Sequence, residues 1–247
     1  MPASEAAVPI YAHRFGSAYG PESSRQALEG ALAHGVEGLE SDVVLTRDDR
    51  VLALHDPSLS YSTDLSGWAH EHDSAQLLDA HIVGGAGESS DQHPMALEEV
   101  LEIIPDQIPY QLDVKAYADH GLARRTAERA CEIVRAHGTG ERAELISFFT
   151  VGCEAAVEQG VDARLVAWAD YAPAALVEWV KSRGIAGMSL EGFILSEELA
   201  ATIHDAGLTI SAGAVNTPDQ GRRMLELGVE ILVSDRPHEL RDELAGS

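Results

Sequence analysis

The 247-residue sequence has few cysteines, few basic residues and no long apolar run. With only Cys131 and Cys153, neither a disulfide framework nor a cysteine-based zinc site can support the fold. The 17 Lys and Arg against 41 Asp and Glu give a formal net charge of −24, which repels nucleic acid and anionic membrane surfaces. We therefore expect no nucleic-acid partner.

Targeting and membrane-spanning segments are also lacking. Residues 1–10 hold no basic stretch followed by an apolar one, and no later segment approaches 18 uninterrupted apolar residues. We expect no stable membrane insertion and a cytoplasmic location. The sequence gives no indication of the oligomeric state. Its length is sufficient for one large core, and we expect residues 1–247 to form a single domain.

A repeated pattern dominates the chain: an amphipathic stretch, a glycine, and a short apolar run rich in β-branched residues. Glycine tolerates the left-handed conformation that ends a helix, and a buried parallel strand reads as a nearly continuous apolar run. The pattern therefore predicts helices and parallel strands in alternation. The glycines that carry it are Gly35, Gly160, Gly184, Gly207 and Gly228.

Nine strands follow from this pattern. The second and third are joined by only 46–50, which is too short for a parallel crossover, so we interpret them as a hairpin and count eight parallel strands. Eight such units predict a (β/α)8 TIM barrel with its active site at the carboxyl ends of the strands. The predicted strands are Val8–His13, Val36–Asp42, Val51–His55, Pro109–Lys115, Glu144–Phe148, Arg164–Trp168, Ile185–Leu190, Leu208–Val215 and Val229–Ser234.

The segment from about residue 57 to 105 interrupts the rhythm and predicts a small insertion over one mouth of the barrel. It contains four histidines, which raises the alternative of a zinc site. Their spacing fits no established metal pattern, and we favour solvated loop residues. These histidines are His70, His72, His81 and His93.

Two carboxylates lie on one face of the second strand, because residues two apart in a strand point to the same side. They are Glu40 and Asp42. A turn centred on Asp48 and Asp49 would place His55 directly opposite Asp42. The alternative is that both carboxylates are solvated at the end of the strand.

The strand around residues 110–115 has a polar face formed by Gln111, Asp113 and Lys115. Because unpaired buried charge is costly, this face predicts a polar site. Asp113, together with Glu40 and Asp42, would form an oxygen-rich pocket for one hard divalent cation, Mg²⁺ or Ca²⁺. Lys115 would then bind phosphate, or would only neutralise Asp113.

His13 and His55 would flank this pocket as acid and base near neutral pH. Either histidine alone could instead be a hydrogen-bonded core residue. Glu22 and Asp56 are candidates for carboxylates that contact the site residues on the side away from the pocket. Among the tryptophans, Trp168, at a strand end, is the best candidate to contact a substrate.

Several motifs, taken in order, resemble the glycerophosphodiester phosphodiesterase family over nearly the whole chain. The most specific are Ala12-His13-Arg14, Glu40-Ser41-Asp42 and Leu54-His55-Asp56. Others are Pro21-Glu22-Ser23, Met95-Ala96-Leu97-Glu98-Glu99, Asp113-Val114-Lys115, Ser147-Phe148, Val215-Asn216 and Ser234-Asp235-Arg236-Pro237.

The resemblance implies a phosphodiesterase-type TIM barrel that hydrolyses glycerophosphodiesters to glycerol 3-phosphate and an alcohol. It implies metal ligands at Glu40, Asp42 and Asp113, a catalytic pair at His13 and His55, and phosphate binding by Arg14 and Lys115. Three positions depart from the family pattern. Asp113 replaces the usual glutamate, Phe15 a glycine, and Gly213 an aromatic residue.

Two alternatives remain open. Related phospholipases that act on phosphoinositides or sphingomyelin are similar in barrel and in site, and fold analogy does not separate them. The other alternative is a catalytically silent barrel used for binding. The acidic charge and the absence of an apolar anchor favour a small, water-soluble phosphodiester as substrate.

Overall fold

In a computed structural model of the protein, the structure describes residues 8–84, 89–117, 119–167 and 172–246. These residues form ten strands: β1 (Ile10–Ala12), β2 (Gly38–Leu45), β3 (Val51–Ala53), β4 (Met95–Ala96), β5 (Tyr110–Val114), β6 (Ala143–Ser147), β7 (Asp162–Ala167), β8 (Gly187–Leu190), β9 (Thr209–Ala212) and β10 (Ile231–Ser234). The helices are α1 (Arg25–Ala33), α2 (Ser74–Leu78), α3 (Leu97–Ile103), α4 (His120–Ala136), α5 (Thr150–Glu158), α6 (Pro173–Ser182), α7 (Glu197–Asp205), α8 (Pro218–Glu226) and α9 (Pro237–Ala245).

Eight of these strands are parallel and close into a barrel. β1 pairs with β10 on one side and with β2 on the other, so the sheet has no break between its first and last parallel strands. Leu39, Val43 and Leu112 belong to the buried apolar core, together with side chains of the surrounding helices. The predicted (β/α)8 TIM barrel is confirmed.

Positive backbone φ angles are found at all five glycines of the repeated pattern. The angles lie between 71° and 79°, the left-handed region in which a residue without a Cβ atom is least strained. An apolar residue follows each glycine and enters the core: Val36, Val161, Ile185, Leu208 and Val229. The glycines thus end the helices where the pattern predicted.

The β2–β3 hairpin forms, but its predicted register is wrong by one residue. Leu45 lies opposite Val51, and the Leu54 amide donates to the Asp42 carbonyl at 3.1 Å, so Asp42 faces Leu54 and not His55. The reason is a three-residue loop in place of the assumed two-residue turn. Its last residue, Asp49, has a φ of 57°, as three-residue hairpin loops require.

The predicted insertion has structure of its own. It contains two 3-10 turns, Leu59–Tyr61 and Ala69–Glu71, followed by α2. The short strand β4, which the sequence pattern did not predict, pairs antiparallel with β3, and α3 follows it directly. A second, small apolar cluster joins Leu54 after β3 to Leu59 and Leu77 of the insertion.

Trp168 lies outside the described residues, as do residues 85–88 of the insertion. Across the parts of the chain that the structure describes, every helix is too short or too polar to cross a bilayer.

Candidate active site at the carboxyl ends of the strands

A cavity of about 330 Å³ opens at the carboxyl ends of the barrel strands. Its polar side is formed by the first, second, third and fifth strands and the residues that follow them. The lining on this side comprises His13, Arg14, Glu40, Asp42, His55, Asp113 and Lys115. The rest of the lining is largely apolar, with Ile146, Phe148, Val166, Leu190 and Val233, and it also includes Ser189, Glu191, Gly213 and Ala214. The structure thus brings together the residues that the sequence predicted as catalytic, metal-binding and phosphate-binding.

Glu40, Asp42 and Asp113 form a compact, buried trio. Asp42 lies directly beside Asp113 across the β2–β5 pair, and one oxygen from each of the three carboxylates lies within 4.8 Å of the others. The three residues are between 2% and 6% exposed, so the alternative of solvated carboxylates is wrong. Asp42 Oδ2 and Asp113 Oδ1 are buried and have no hydrogen-bond partner among the described residues, which fits a hard divalent cation.

The pKa values of the trio are spread apart. Burial, together with the neighbouring charge of Asp42, raises the pKa of Glu40 to about 7. Burial also raises the pKa of Asp113, although Lys115 opposes the shift. For Asp42 burial is outweighed by Lys115, His55 and Arg14, which hold its pKa at about 2. Close, buried carboxylates that titrate apart in this way are typical of functional sites.

Both basic residues of the cavity contact the carboxylates. Lys115 Nζ lies 2.6 Å from Asp113 Oδ2 and 3.1 Å from Asp42 Oδ1. Burial opposes the charge of Lys115, but these carboxylates raise its pKa. The Arg14 side chain lies 3.4 Å from Asp42 Oδ2, and its backbone N–H donates to Glu40 Oε2 at 2.9 Å. Lys115 therefore neutralises Asp113, as the alternative held, and also lines the cavity where a phosphate would bind.

His13 directly follows β1 and is held on both sides. Its Nδ1 lies 2.7 Å from Asp235 Oδ1, and its Nε2 lies 4.0 Å from Glu40 Oε2. Burial alone would lower the pKa of His13, but the hydrogen bond to Asp235 and the charge of Glu40 together raise it. The side chain is 22% exposed and lines the cavity, which argues against a purely structural core histidine.

His55 follows β3 and enters the cavity from the hairpin. Its Nδ1 lies 3.1 Å from Asp56 Oδ2, which also accepts a hydrogen bond from Ser62 Oγ at 2.5 Å. Glu22, His55 and Asp56 each have one potential metal-ligand atom, and these three atoms lie within 4.8 Å of one another. Glu22 Oε2 also accepts from Arg14 Nη1 at 2.7 Å. Glu22 and Asp56 thus contact Arg14 and His55 respectively, as carboxylates behind the cavity.

Gln111 does not join the site, although it lies on the polar face with Asp113. Its amide Nε2 donates to Glu144 Oε2 at 2.7 Å, deeper in the barrel. Glu144 in turn pairs with Arg164, whose Nη1 donates to Thr209 Oγ1 at 2.6 Å. The Gln111 amide nitrogen thus contacts this ion pair and not the cavity, while Gln111 Oε1 is buried without a hydrogen-bond partner among the described residues.

Two departures from the family pattern have a visible structural counterpart. Phe15 has a φ of 66°, which explains why a glycine suits this position, and its buried ring lies 6.1 Å from the Tyr110 ring. At Gly213, a Cβ atom would lie 2.9 Å from Val233 Cβ. An aromatic residue there would therefore require a smaller neighbour than Val233 or a displaced backbone.

Asn216 and Asp235 belong to two of the family motifs, but the sequence pattern predicted no role for either residue. Asn216 Nδ2 donates to Asp235 Oδ2 at 2.5 Å, and the Asp235 N–H donates to Asn216 Oδ1 at 2.9 Å. Both residues follow barrel strands, β9 and β10. A polar residue after a predicted barrel strand was the signal that could have identified them.

The histidines of the insertion lie apart from this cluster. His72 Nε2 contacts the Ser66 carbonyl at 3.0 Å, and His93 Nδ1 contacts the Ala80 carbonyl at 2.8 Å. Two groups of candidate metal ligands lie among the described residues, and neither includes a histidine of the insertion.

Comparison with known proteins agrees with the resemblance. A glycerophosphodiester phosphodiesterase of Bacillus altitudinis is 26% identical, over 95% of this chain and 98% of that protein. A phosphodiesterase of Oleispira antarctica, solved with the product sn-glycerol-3-phosphate, matches with a TM-score of 0.85 and 22% identity, over 96% of each chain. A protein described as a putative glycerophosphoryl diester phosphodiesterase of Silicibacter pomeroyi matches with a TM-score of 0.86 and 21% identity, over 99% of this chain and 95% of that one. The model of the glycerophosphoryl diester phosphodiesterase family matches residues 13–239, and the chain belongs to that family.

Proposed function

We propose that the protein hydrolyses small, water-soluble glycerophosphodiesters to glycerol 3-phosphate and an alcohol. The observation that carries the proposal is the convergence of two histidines, three buried carboxylates and two basic side chains on one cavity of a family member. Relatives along nearly the full length bear the name of this activity. A catalytically silent barrel would not need this combination of groups.

The trio Glu40, Asp42 and Asp113 would hold one divalent cation. All three ligands are carboxylates, which suit Mg²⁺ or Ca²⁺ better than softer metals. Asp42 Oδ2 and Asp113 Oδ1, which accept no hydrogen bond from the described residues, support the assignment. A cation bound there supplies Lewis-acid polarisation of a phosphate oxygen.

The side chains around the trio divide the remaining work. Arg14 and Lys115 place positive charge where negative charge grows on the phosphate. His13 takes a proton from the nucleophile, either water or the neighbouring glycerol hydroxyl, as the new bond to phosphorus forms. His55 donates a proton to the alcohol oxygen as its bond to phosphorus breaks. Attack by the glycerol hydroxyl gives a cyclic phosphate that water then opens.

Two further proposals concern the chain as a whole. Residues 1–247 form one catalytic domain, since strands from both ends of the sequence close the same barrel. The protein acts in the cytoplasm, which is supported by two buried cysteines in the free thiol form. Cell fractionation with a tagged full-length chain tests the location.

The function is tested by measuring glycerol 3-phosphate release from a panel of glycerophosphodiesters, with Mg²⁺, Ca²⁺ or EDTA. We expect turnover with one of the cations and none with EDTA. The variants His13→Ala and His55→Ala should each lose about 10²-fold or more while staying folded, because acid–base assistance contributes that much. Hydrolysis of only sphingomyelin or phosphatidylinositol would favour a related phospholipase, and no hydrolysis at all would favour a silent barrel.

A further inference from the structure

A network of side chains joins His13 to the far end of the sequence. Asp235 lies 222 residues after His13, yet its Oδ1 is 2.7 Å from His13 Nδ1. Its other oxygen accepts from Asn216 Nδ2 at 2.5 Å. Asn216 Oδ1 accepts from the Asp235 N–H at 2.9 Å and from Ser234 Oγ at 3.1 Å. Both oxygens of the Asp235 carboxylate and both polar atoms of the Asn216 amide are therefore engaged.

The barrel closure creates this network. β1 pairs with β10 with Ala12 opposite Ser234, so the residues that follow them, His13 and Asp235, leave the sheet side by side. Beyond β9, the Val215 N–H donates to the Val233 carbonyl at 2.8 Å, which carries Asn216 to the same place. Rigid strand ends are suited to fixing a catalytic group.

The network determines which nitrogen of His13 carries the proton. A carboxylate only accepts hydrogen bonds, so the hydrogen between His13 and Asp235 belongs to Nδ1. In the neutral ring Nε2 then has a free lone pair. Nε2 is the nitrogen that lies on the side of Glu40 and the carboxylate trio.

We propose that Asp235 is a positioning residue for His13 and that Asn216 holds Asp235 in place. Asp235 fixes the His13 ring with its hydrogen on Nδ1, so that Nε2 faces the nucleophile as the proton acceptor. When the nucleophile's O–H proton moves to Nε2, the positive ring remains hydrogen-bonded to the ionised Asp235 carboxylate. The proposal rests on the proposed function of the site.

The sharpest variant is Asp235→Asn, which keeps the size and changes one oxygen to an NH₂ group. Because Asn216 Nδ2 needs an acceptor, the remaining oxygen turns toward it, and the NH₂ group donates to His13 Nδ1. The ring hydrogen then moves to Nε2, which can no longer accept a proton. We expect kcat to fall by about 10²-fold or more with KM within about threefold.

A purely structural role for Asp235 would also reduce activity, so two further readouts are needed. In the His13→Gln background, Asp235→Asn should lower kcat by less than about twofold, because the effects of substitutions at residues that act as a unit are not additive. The ¹⁵N and ¹H NMR signals of His13, identified by their loss in His13→Gln, should show the hydrogen on Nδ1 in the wild type and on Nε2 in Asp235→Asn. Asn216→Ala should lower kcat by about 10-fold to 100-fold, as loss of a supporting contact does.

The matched control is Asp242→Asn, which changes an aspartate 3.7 Å from a histidine, His238, on the exposed face of α9. It should keep wild-type kcat. The proposal is overturned if Asp235→Asn keeps the wild-type kcat or if the His13 tautomer does not change. It is also overturned if Asp235→Asn lowers kcat as much in the His13→Gln background as in the wild type. The NMR readout requires no turnover, so a wild type without glycerophosphodiesterase activity would refute the proposed function and leave Asp235 still to be judged by the His13 tautomer.

Discussion

Asp113 is the metal-ligand candidate at which this chain differs from its family, and its surroundings define a test. Its side chain is buried beside Asp42, with Oδ2 bound to Lys115 and Oδ1 without a partner. A carboxylate one methylene shorter than glutamate would reach a bound cation through a water, or would require the cation to lie nearer to β5. Either way, removing the carboxylate should harm the site more than lengthening it.

We therefore expect Asp113→Ala to weaken cation binding by about tenfold or more, the loss seen even for groups behind a ligand. Asp113→Glu should keep or improve activity, because the family's site usually accommodates Glu. Cation titrations of turnover, together with calorimetric titration of each variant, measure both effects. Wild-type cation dependence in Asp113→Ala would show that Asp113 is not a ligand.

Phe15 combines a left-handed backbone conformation with a large buried side chain. This combination predicts the relative stability of its Ala and Gly variants. Phe15→Ala and Phe15→Gly both lose the ring, at about 3–5 kcal/mol in the free energy of unfolding. At a φ of 66°, however, the Ala variant also keeps about 1 kcal/mol of backbone strain that Gly lacks. We expect the Gly variant to be the more stable of the two.

Urea unfolding of the two variants measures this order. Leu112, buried in the middle of β5, is the control, because a Gly variant should be less stable than an Ala variant inside a strand. An Ala variant at residue 15 that is more stable than the Gly variant would contradict the assigned backbone conformation.

At the scale of elements, the β2–β3 loop is joined to the insertion by Asp48. Its carboxylate accepts hydrogen bonds from the Ser74 N–H at 2.8 Å and from Ser74 Oγ at 2.7 Å, at the start of α2. It also accepts from Thr46 Oγ1 at 2.7 Å. Although burial opposes the shift, the hydrogen bonds from Ser74 and Thr46 hold the pKa of Asp48 at about 2.

A pKa below the unfolded value of about 3.9 means that ionised Asp48 stabilises the fold. This contribution is complete above about pH 4 and is lost as the pH falls toward 2. We expect Asp48→Asn to lower the free energy of unfolding by about 1 kcal/mol at pH 7, the value of a hydrogen bond at an exposed site. The difference from the wild type should narrow between about pH 4 and pH 2.

Urea unfolding across this pH range tests the prediction, with Asp106→Asn as the control at an exposed loop position. A difference between the wild type and Asp48→Asn that stays constant down to pH 2 would mean that the Asp48 carboxylate is not the group responsible.

At the scale of the whole molecule, the net charge of −24 makes a bound cation important for stability as well as for chemistry. Three buried carboxylates repel one another. A divalent cation held by all three would bind the folded chain but not the unfolded chain, in which the three residues are far apart. At a concentration of about 100 times its dissociation constant, such a ligand stabilises by about 2.7 kcal/mol. For a chain of this size, we expect Tm to rise by about 5–10 °C.

Differential scanning calorimetry with Mg²⁺ or Ca²⁺ measures the shift in Tm. Potassium chloride at equal ionic strength controls for general screening of the acidic surface. Asp42→Asn should abolish most of the cation effect. An equal rise in Asp42→Asn would place the stabilising cation elsewhere on the molecule.

The sequence alone determined the number of barrel strands and the identity of most of the polar residues that line the cavity. Both are encoded locally. A glycine that ends a helix precedes five of the eight barrel strands, and alternation along a strand places Glu40 with Asp42 and Asp113 with Lys115 on one face. The family resemblance added Arg14 as a phosphate-binding residue and the expected reaction.

The tertiary structure alone decided what depends on distant parts of the chain meeting. The Phe15 ring meets the Tyr110 ring of β5, which is distant in the sequence, only in the folded barrel. The contact of Asp235 with His13 exists because the last barrel strand pairs with the first. Local patterns carry no information on these contacts, since closing the barrel brings together residues more than 200 positions apart.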